Sequence, residues 1–225
     1  MKINTNFLTT RLAVAAAVVL SITSCKKDDN DDMMMNTQLS FVNTVEGSAA
    51  QDVYINDLKV NTSAVAYGSA LTDISTSSGS KTISFKNTGS ATVTASANVE
   101  ANANSSQTAF LVKQANGNLA VSTYANDNTT TSGKVRVRFI NVAPMLSSTI
   151  NVATTTGTNL ISALAFRVAS AYQTIDANTN LNVTMSGSLE VTTIAGSELQ
   201  AGKVYTIWFD SSSTTKAKYH IVVQK

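Results

Sequence analysis

The sequence predicts an all-β protein built from two tandem β-sandwich domains, and three observations lead to this prediction. From residue 39 onward, short runs of alternating apolar and polar residues recur at a spacing of roughly ten residues, which is typical of sandwich strands. Clusters of Ser, Thr, Asn and Gly separate these runs and favour turns. No stretch shows the apolar period of an amphipathic helix of three turns.

The candidate strands follow one another in two series. The first series is LSFVN, DVYINDLKV, KTISFK, ATVTASANV, TAFLVK and LAVSTY, and the second is KVRVRFINV, TINVA, LNVTM, LEVTTI, KVYTIWF and KYHIVV. In KVRVRF, the period of two predicts that Arg136 and Arg138 face solvent while the valines and Phe139 are buried.

The two series are copies of one pattern. FVN at residues 41–43 recurs as FIN at residues 139–141, so the offset is 139 minus 41, or 98. VYI at residue 53 is answered by INV at residue 150, and the last two strands of each series repeat at a similar offset. These recurrences predict an internal duplication.

A polar segment separates the copies. ANDNTTTSG, residues 125–133, is rich in turn formers and poor in apolar residues, as expected of a linker. We therefore predict sandwich domains at residues 39–127 and 134–225.

The N-terminus has the layout of a secretory signal peptide, residues 1–24. Lys2 and Arg11 precede the apolar run LAVAAAVVL, and small residues follow it up to Cys25. This run of nine residues is too short for a hydrocarbon core that needs about 20.

Residues 22–25, Ile-Thr-Ser-Cys, resemble the bacterial lipobox. The resemblance implies that Cys25 carries a diacylglycerol on its sulfur after cleavage behind Ser24. The alternative is an unmodified thiol after an ordinary signal peptide. Two or more acyl chains anchor a protein stably, so a lipidated Cys25 predicts membrane attachment.

The next segment, KKDDNDDMMMNTQ, is charged and then Met-rich, without helical or strand period. With Cys25 it forms a predicted flexible tether, residues 25–38. Its start, Lys26, Lys27, Asp28 and Asp29, resembles the surface-export signal of Bacteroidota lipoproteins. That resemblance implies display on the outer leaflet of the outer membrane. The alternative is a solvated spacer that contains no export signal.

A calcium loop is a further alternative for this segment, because Asp28, Asn30 and Asp32 match the first three ligand positions of an EF-hand. Met33 occupies the position that requires glycine, however, and Leu39 the position of the bidentate Glu. We therefore predict no metal site.

Composition excludes a nucleic-acid-binding protein. Removal of residues 1–24 takes away two of the 16 basic residues and none of the 14 acidic ones, which leaves a formally neutral mature chain. Nucleic-acid binding needs a basic face, and the short KVRVRF run is explained by strand alternation. Cys25 is the only cysteine, so we expect no disulfide.

The motifs VRVRFINVAP, INVAT and LQAGKVYTIWF, with Tyr172 before a turn, resemble the bacterial family called domain of unknown function 4397. The resemblance extends over about residues 37–225 and is best in the second half. It implies exported proteins, often lipoproteins, with tandem immunoglobulin-like sandwiches and no established catalytic residues.

No catalytic constellation is recognisable, and we predict neither an enzyme nor a cofactor. His220 is the sole histidine, which is too few for the common zinc sites. Ser78 to Lys81 and Ser213 to Lys216 match the Ser-x-x-Lys spacing of penicillin-recognising enzymes, but its companion motifs are missing. Scattered acids leave open a pair suited to glycoside hydrolysis.

Trp208 is the candidate ligand-contacting residue. In YTIWFD, alternation puts Tyr205, Ile207 and Phe209 on one face and Trp208 on the other. An exposed Trp can stack on a sugar ring, and a buried one packs in a sandwich. The functional hypothesis is a lipid-anchored binding, adhesion or structural module whose partner is a glycan or an envelope protein. The alternative is a carbohydrate-binding accessory protein or weak glycan hydrolase.

Overall fold

The computed structural model describes residues 36–225, which fall within one compact unit, Met34–Lys225. The predicted signal peptide, Cys25 and the predicted export motif lie outside the described residues. The described part contains sixteen β-strands and one short 3-10 helix, Gly196–Glu198. Residues 36–225 include no α-helix, and the all-β prediction is confirmed.

Eight strands build each sandwich. The first contains β1 Asn36–Asn43, β2 Gln51–Ile55, β3 Leu58–Lys59, β4 Ala70–Ser77, β5 Gly79–Asn87, β6 Val93–Ala101, β7 Ser106–Lys113 and β8 Leu119–Ala125. The second contains β9 Lys134–Asn141, β10 Ile150–Thr154, β11 Asn159–Leu164, β12 Gln173–Asp176, β13 Leu181–Met185, β14 Val191–Ile194, β15 Val204–Asp210 and β16 Lys218–Val223.

The two sandwiches have the same topology, strand for strand. Sheets β4-β1-β7-β8 and β3-β2-β5-β6 form the first, and sheets β12-β9-β15-β16 and β11-β10-β13-β14 form the second. β1 runs parallel to β7, and β9 runs parallel to β15. The named neighbours otherwise pair antiparallel. The predicted tandem immunoglobulin-like sandwiches are therefore confirmed.

Alternation along the strands explains the two cores. In the first, Phe41 of β1 and Phe85 of β5 meet edge to face with ring centroids 6.3 Å apart. In the second, Phe139 of β9 and Phe209 of β15 stack with centroids 6.0 Å apart. Aromatic pairs at such distances add about 0.5–1.5 kcal/mol to the burial of their area.

The first strand begins earlier than the sequence predicts. Asn36, Thr37 and Gln38, assigned to the tether, pair with residues 77, 76 and 75 of β4. The Thr37 hydroxyl also donates to the Ser105 carbonyl at 3.0 Å. These polar residues form a strand because the ladder satisfies their backbone groups, so the first sandwich starts at Asn36 instead of residue 39.

Four strands are absent from the prediction. DVYINDLKV is a hairpin, β2 and β3, because Asn56 and Asp57 adopt positive φ angles of 48° and 65°. Strands β4, β11 and β12 are entirely new. All four lie at a sheet edge, where partial exposure weakens the apolar pattern.

Candidate functional site

The outer faces of sheets β4-β1-β7-β8 and β12-β9-β15-β16 form a shared apolar interface. Its buried members are Val42, Phe110, Val112, Ile140, Val142, Trp208 and Val222. Each of the strands β1, β7, β9 and β15 places at least one apolar side chain of this set on its outer face, while its other face fills its own sandwich. The two sandwiches are therefore joined through a core of their own.

Trp208 lies at the centre of this interface with an exposed fraction of 0%. Its ring stacks on His220 with centroids 3.9 Å apart and planes at 7°. The indole Nε1 is buried and has no hydrogen-bond partner in the described part of the chain. The proposed stacking of Trp208 on a ligand is wrong in this structure, because neither ring face meets solvent.

Three polar side chains connect the sandwiches beside Trp208. The Tyr67 hydroxyl donates to one oxygen of Asp210, and the other oxygen lies 3.2 Å from His220 Nε2. Tyr67 Oη also lies 3.3 Å from that nitrogen. Partial burial and the Asp210 carboxylate raise the pKa of Tyr67 to about 12, so the phenol remains a donor at neutral pH.

An ion pair between Lys218 and Glu46 lies beside the Tyr67, Asp210 and His220 cluster. Lys218 Nζ lies 2.7 Å from Glu46 Oε1 across the junction and 5.7 Å from the Tyr67 ring centroid. Beside it is a cavity of 120 Å³ lined by Thr44, Val45, Glu46, Lys113, Val142, Pro144, Met145, Asp210 and Ser211. Pockets for drug-sized ligands have about 300–1,000 Å³, so this cavity is small.

The two repeats carry equivalent turns at the junction. Gly68 N donates to the Asn43 carbonyl at 2.9 Å, and Arg167 N donates to the Asn141 carbonyl at 2.6 Å. Gly68 and Arg167 thus occupy equivalent turns, with φ angles of +79° and +62°.

Each of these turns reaches the other sandwich. A Cβ on Gly68 would lie 3.2 Å from His220 Nδ1, and Arg167 donates to the Ser122 hydroxyl at 3.0 Å. His220 pairs with Trp208 of β15, and Ser122 pairs with Phe110 of β7, so the two contacts are equivalent. In each contact a long side chain lies against a small residue, His220 against Gly68 and Arg167 against Ser122. The two repeats thus use the same surface reciprocally, as the subunits of an isologous dimer do.

Arg138 holds the linker between the sandwiches. It is only 3% exposed, and it donates to Thr206 Oγ1 at 2.8 Å and to Asn126 Oδ1 at 2.5 Å. The Ala125 carbonyl accepts a further bond from it. Burial lowers the pKa of Arg138. The prediction that Arg138 faces solvent is therefore wrong, because the outer face of its sheet is covered.

Arg136 secures the same linker from outside. It lies 2.7 Å from Asp127 Oδ2 and donates to the Thr129 carbonyl at 2.5 Å. Hydrogen bonds from Arg136 and Thr129 hold the pKa of Asp127 well below its usual range. The connection at residues 126–133 is therefore fixed at several points.

Two larger clefts lie at equivalent edges of the sandwiches. The first has 350 Å³ and is lined by Ile55, Asn56, Leu58, Val60, Ile74, Ser75, Thr76, Ser77 and Lys81. The second has 270 Å³ and is lined by Thr154, Thr156, Thr158, Leu160, Thr174, Ile175, Asp176 and Thr179. Hairpin β2–β3 and strand β4 form the first, and hairpin β10–β11 and strand β12 form the second.

The remaining candidates do not assemble into a reactive group. Lys81 Nζ bonds to the Ser77 hydroxyl and the Ser78 carbonyl, and the Ser213 hydroxyl accepts from the backbone of Lys216. Acids that form ion pairs with Lys or Arg include Glu46, Asp52, Asp127, Asp176 and Glu190. Within residues 36–225, no group of three or more His, Cys, Asp or Glu could hold a metal ion.

Two further findings concern the described region and the predicted N-terminal sites. No helix in residues 36–225 is long and apolar enough to cross a membrane. Cys25, Lys26, Lys27, Asp28 and Asp29 lie outside the described residues, so their roles remain predictions.

Comparison with known proteins identifies a family. The model of the family described as Domain of unknown function (DUF4397) matches residues 37–153, which span the first sandwich and the first two strands of the second. The match thus lies mainly in the first half, whereas we expected the second half to be more similar.

The other comparisons say less. No curated protein matches the chain. A solved structure titled "Alpha-glucan binding by a streptococcal virulence factor" is 12% identical, with a TM-score of 0.26 over 82% of this chain and 96% of that one. A likeness at that level does not bear on the ligand of this chain.

Proposed function

We propose that this chain, which belongs to the family described as Domain of unknown function (DUF4397), is an exported envelope protein that acts as a non-catalytic binding module. The lipobox-like residues 22–25 support a lipid anchor at Cys25. The observation that carries the binding role is the pair of equivalent clefts, 350 Å³ and 270 Å³, on the two sandwiches. The first cleft lies within the volume range of about 300–1,000 Å³ for ligand pockets, and the second lies just below it.

The fixed junction supports the same role. Tyr67 of the first sandwich contacts Asp210 and His220 of the second. Trp208 packs in the apolar interface that the sandwiches share, and Arg138 fixes the linker. Two clefts on sandwiches that are joined in this way have a defined separation. Such an arrangement suits a partner that engages both sites, since a matched spacing raises the effective concentration for the second contact.

The anchor depends on Cys25 and on the short segment that follows it. Strand β1 begins at Asn36, so residues 26–35 connect the proposed lipid to the fold. At about 3.3–3.6 Å per residue, an extended segment of that length reaches roughly 35 Å. The sandwiches would therefore stay close to the membrane surface, facing the medium if Lys26 to Asp29 direct export.

Fatty-acid labelling tests the anchor. Wild-type cells should incorporate labelled acyl chains into the protein, and cells with Cys25→Ser should not. The variant Thr23→Ser, which keeps the cysteine, serves as the control and should be labelled. Equal labelling of wild type and Cys25→Ser would refute the anchor.

Protease treatment of intact cells tests surface display. The wild type should be cleaved, and a variant with Asp28→Asn and Asp29→Asn should be protected. The matched control, with Asp31→Asn and Asp32→Asn, carries the same charge change a few residues later and should be cleaved like the wild type. Protection of the wild type would place the protein on the periplasmic side.

A further inference from the structure

Lys81 is a buried cation in the first cleft. The alternation of β5 puts it on the same side as Ile83 and Phe85, which face the core, and it is only 8% exposed. Lys81 Nζ donates to the Ser77 hydroxyl at 3.0 Å and to the Ser78 carbonyl at 3.3 Å. Both partners are neutral, and no carboxylate in residues 36–225 lies within ion-pair distance of it.

The ammonium group of Lys81 can donate a further hydrogen bond to a ligand in the cleft. An ammonium carries three N–H donors, and the described contacts of Lys81 use two acceptors. Burial of a cation costs free energy unless it is paired and hydrogen-bonded. An anion that entered the cleft would accept a hydrogen bond from Lys81 and balance its charge.

Apolar side chains lie beside this cation. Leu58, the first residue of β3, is 73% exposed, and Val60 and Ile74 also line the cleft. Exposed apolar surface next to a charged group suits a ligand with an anionic end and an apolar body. The rim of Ser75, Thr76 and Asn56 provides further hydrogen-bonding groups.

We propose that the first cleft binds a carboxylate that carries an apolar substituent, with Lys81 as its counter-ion and Leu58 as its apolar contact. The proposal rests on the binding role described above and names the ligand class for one of the two clefts. A carboxylate is preferred because its two oxygens accept hydrogen bonds from both Lys81 and the hydroxyl rim.

The second cleft provides an internal comparison. Thr179 lines it and follows Lys81 by 179 minus 81, or 98 residues, the same offset that relates FVN to FIN. The residues that line this cleft include Asp176 and no Lys or Arg. We therefore expect the second cleft to reject the ligand that the first cleft accepts.

Titration of the purified full-length protein in detergent, followed by amide NMR, tests the proposal with three probes. N-acetyl-leucine carries a carboxylate and an apolar side chain, N-acetyl-leucinamide lacks the charge, and glucuronate lacks the apolar group. N-acetyl-leucine should cause saturable shifts at Leu58, Ile74 and Ser75 but not at Thr156 or Thr174. N-acetyl-leucinamide should bind at least about ten-fold more weakly, the effect of losing one charge-assisted contact. Glucuronate should also bind at least about ten-fold more weakly, because it loses the burial of an apolar side chain against Leu58.

Two variants decide the role of Lys81. Lys81→Thr, which introduces the residue of the second repeat, should weaken N-acetyl-leucine binding by about ten-fold or more. Lys86→Thr, on the same strand but outside the cleft, should bind like the wild type. If Lys81→Thr does not give a folded spectrum, Lys81→Met, which keeps the apolar stem, replaces it.

Several outcomes would overturn the proposal. Unchanged binding in the Lys81 variant would exclude the counter-ion role, and equal binding of the leucinamide would exclude charge recognition. Stronger binding of glucuronate would exclude the apolar contact. Absence of shifts with every probe would refute this ligand class, while fatty-acid labelling of Cys25 and cleavage on intact cells would still test the anchor separately.

Discussion

Replacing Gly68 with alanine tests whether the two sandwiches are in close contact at this residue. Gly68 has a φ angle of +79°, where an L-residue costs about 1–2 kcal/mol. The added Cβ would lie 3.2 Å from His220 Nδ1. The imidazole has little room to move, because it stacks on Trp208 at 3.9 Å and contacts Asp210 at 3.2 Å.

The expected loss of stability therefore has two parts. Overpacking of a close-packed site costs about 1–3 kcal/mol, which adds to the backbone cost of about 1–2 kcal/mol. Gly68→Ala should thus lower the free energy of unfolding by about 2–5 kcal/mol. Gly187→Ala is the matched control, since Gly187 has a φ angle of +80° and no atom within 4 Å of an added Cβ.

Urea unfolding followed by tryptophan fluorescence measures both variants. Trp208 is the only tryptophan, so its emission reports the interface directly. The unfolded-state effect of adding a methyl group is common to both variants, and their difference isolates the contact with His220. That difference should be about 1–3 kcal/mol. Equal losses in the two variants would refute a close contact between the sandwiches at Gly68.

Three further predictions concern single polar residues. Absorbance titration should show that Tyr67 ionises near a pKa of about 12, and Asp210→Asn should lower that pKa; an unchanged value would contradict the contact. Because the folded-state pKa of Tyr67 is raised, the stability it provides is complete below pH of about 10 and is lost as the pH rises through 12. Hydrogen bonds from Lys59 and Asn61 lower the pKa of Asp52, so its contribution is present above pH of about 4 and is lost on acidification. Acid unfolding curves should therefore fall less steeply for Asp52→Asn, and parallel curves would argue against the ion pair. Arg138→Met should expose residues 126–133 to limited proteolysis, and cleavage at the wild-type rate would show that Arg138 does not hold the linker.

The sequence predicts the central strands well because they bury one regular face. Phe41, Phe139 and Phe209 stand in alternating runs, and each fills a sandwich core. The missed strands β3, β4, β11 and β12 lie at sheet edges, where few side chains need to be apolar. In β4, Asp73 even has a positive φ angle of 60°, which no periodic pattern reveals.

The interface was harder to predict for a different physical reason. A period of two shows which side chains share a face but not what covers that face. The sequence therefore predicts that Arg138 faces solvent, and it leaves Trp208 open between stacking on a ligand and packing in a sandwich. A second sandwich buries both residues. The sequence does contain evidence that this face is covered. In AFLV and TIWF, apolar residues lie on both faces of the strand, which is typical of a sheet covered on both sides.

Part of the Lys81 site can be predicted from the alternation of the sequence. In KTISFK, Lys81 shares its face with Ile83 and Phe85, so alternation alone places a cation at a core-facing position. The cleft itself depends on hairpin β2–β3 and edge strand β4, which the pattern did not predict. The chemistry of the site was therefore visible in the sequence, and its shape was not.

Quenching of Trp208 fluorescence by acrylamide in the native protein tests the central claim most directly, namely that the two sandwiches meet through this residue. The structure puts Trp208 on the face of β15 opposite the sandwich core, at 0% exposure. The account predicts blue-shifted emission and little quenching. Emission and quenching like those of the urea-unfolded chain would show that the face is open to solvent, and would contradict the joined arrangement of the two sandwiches.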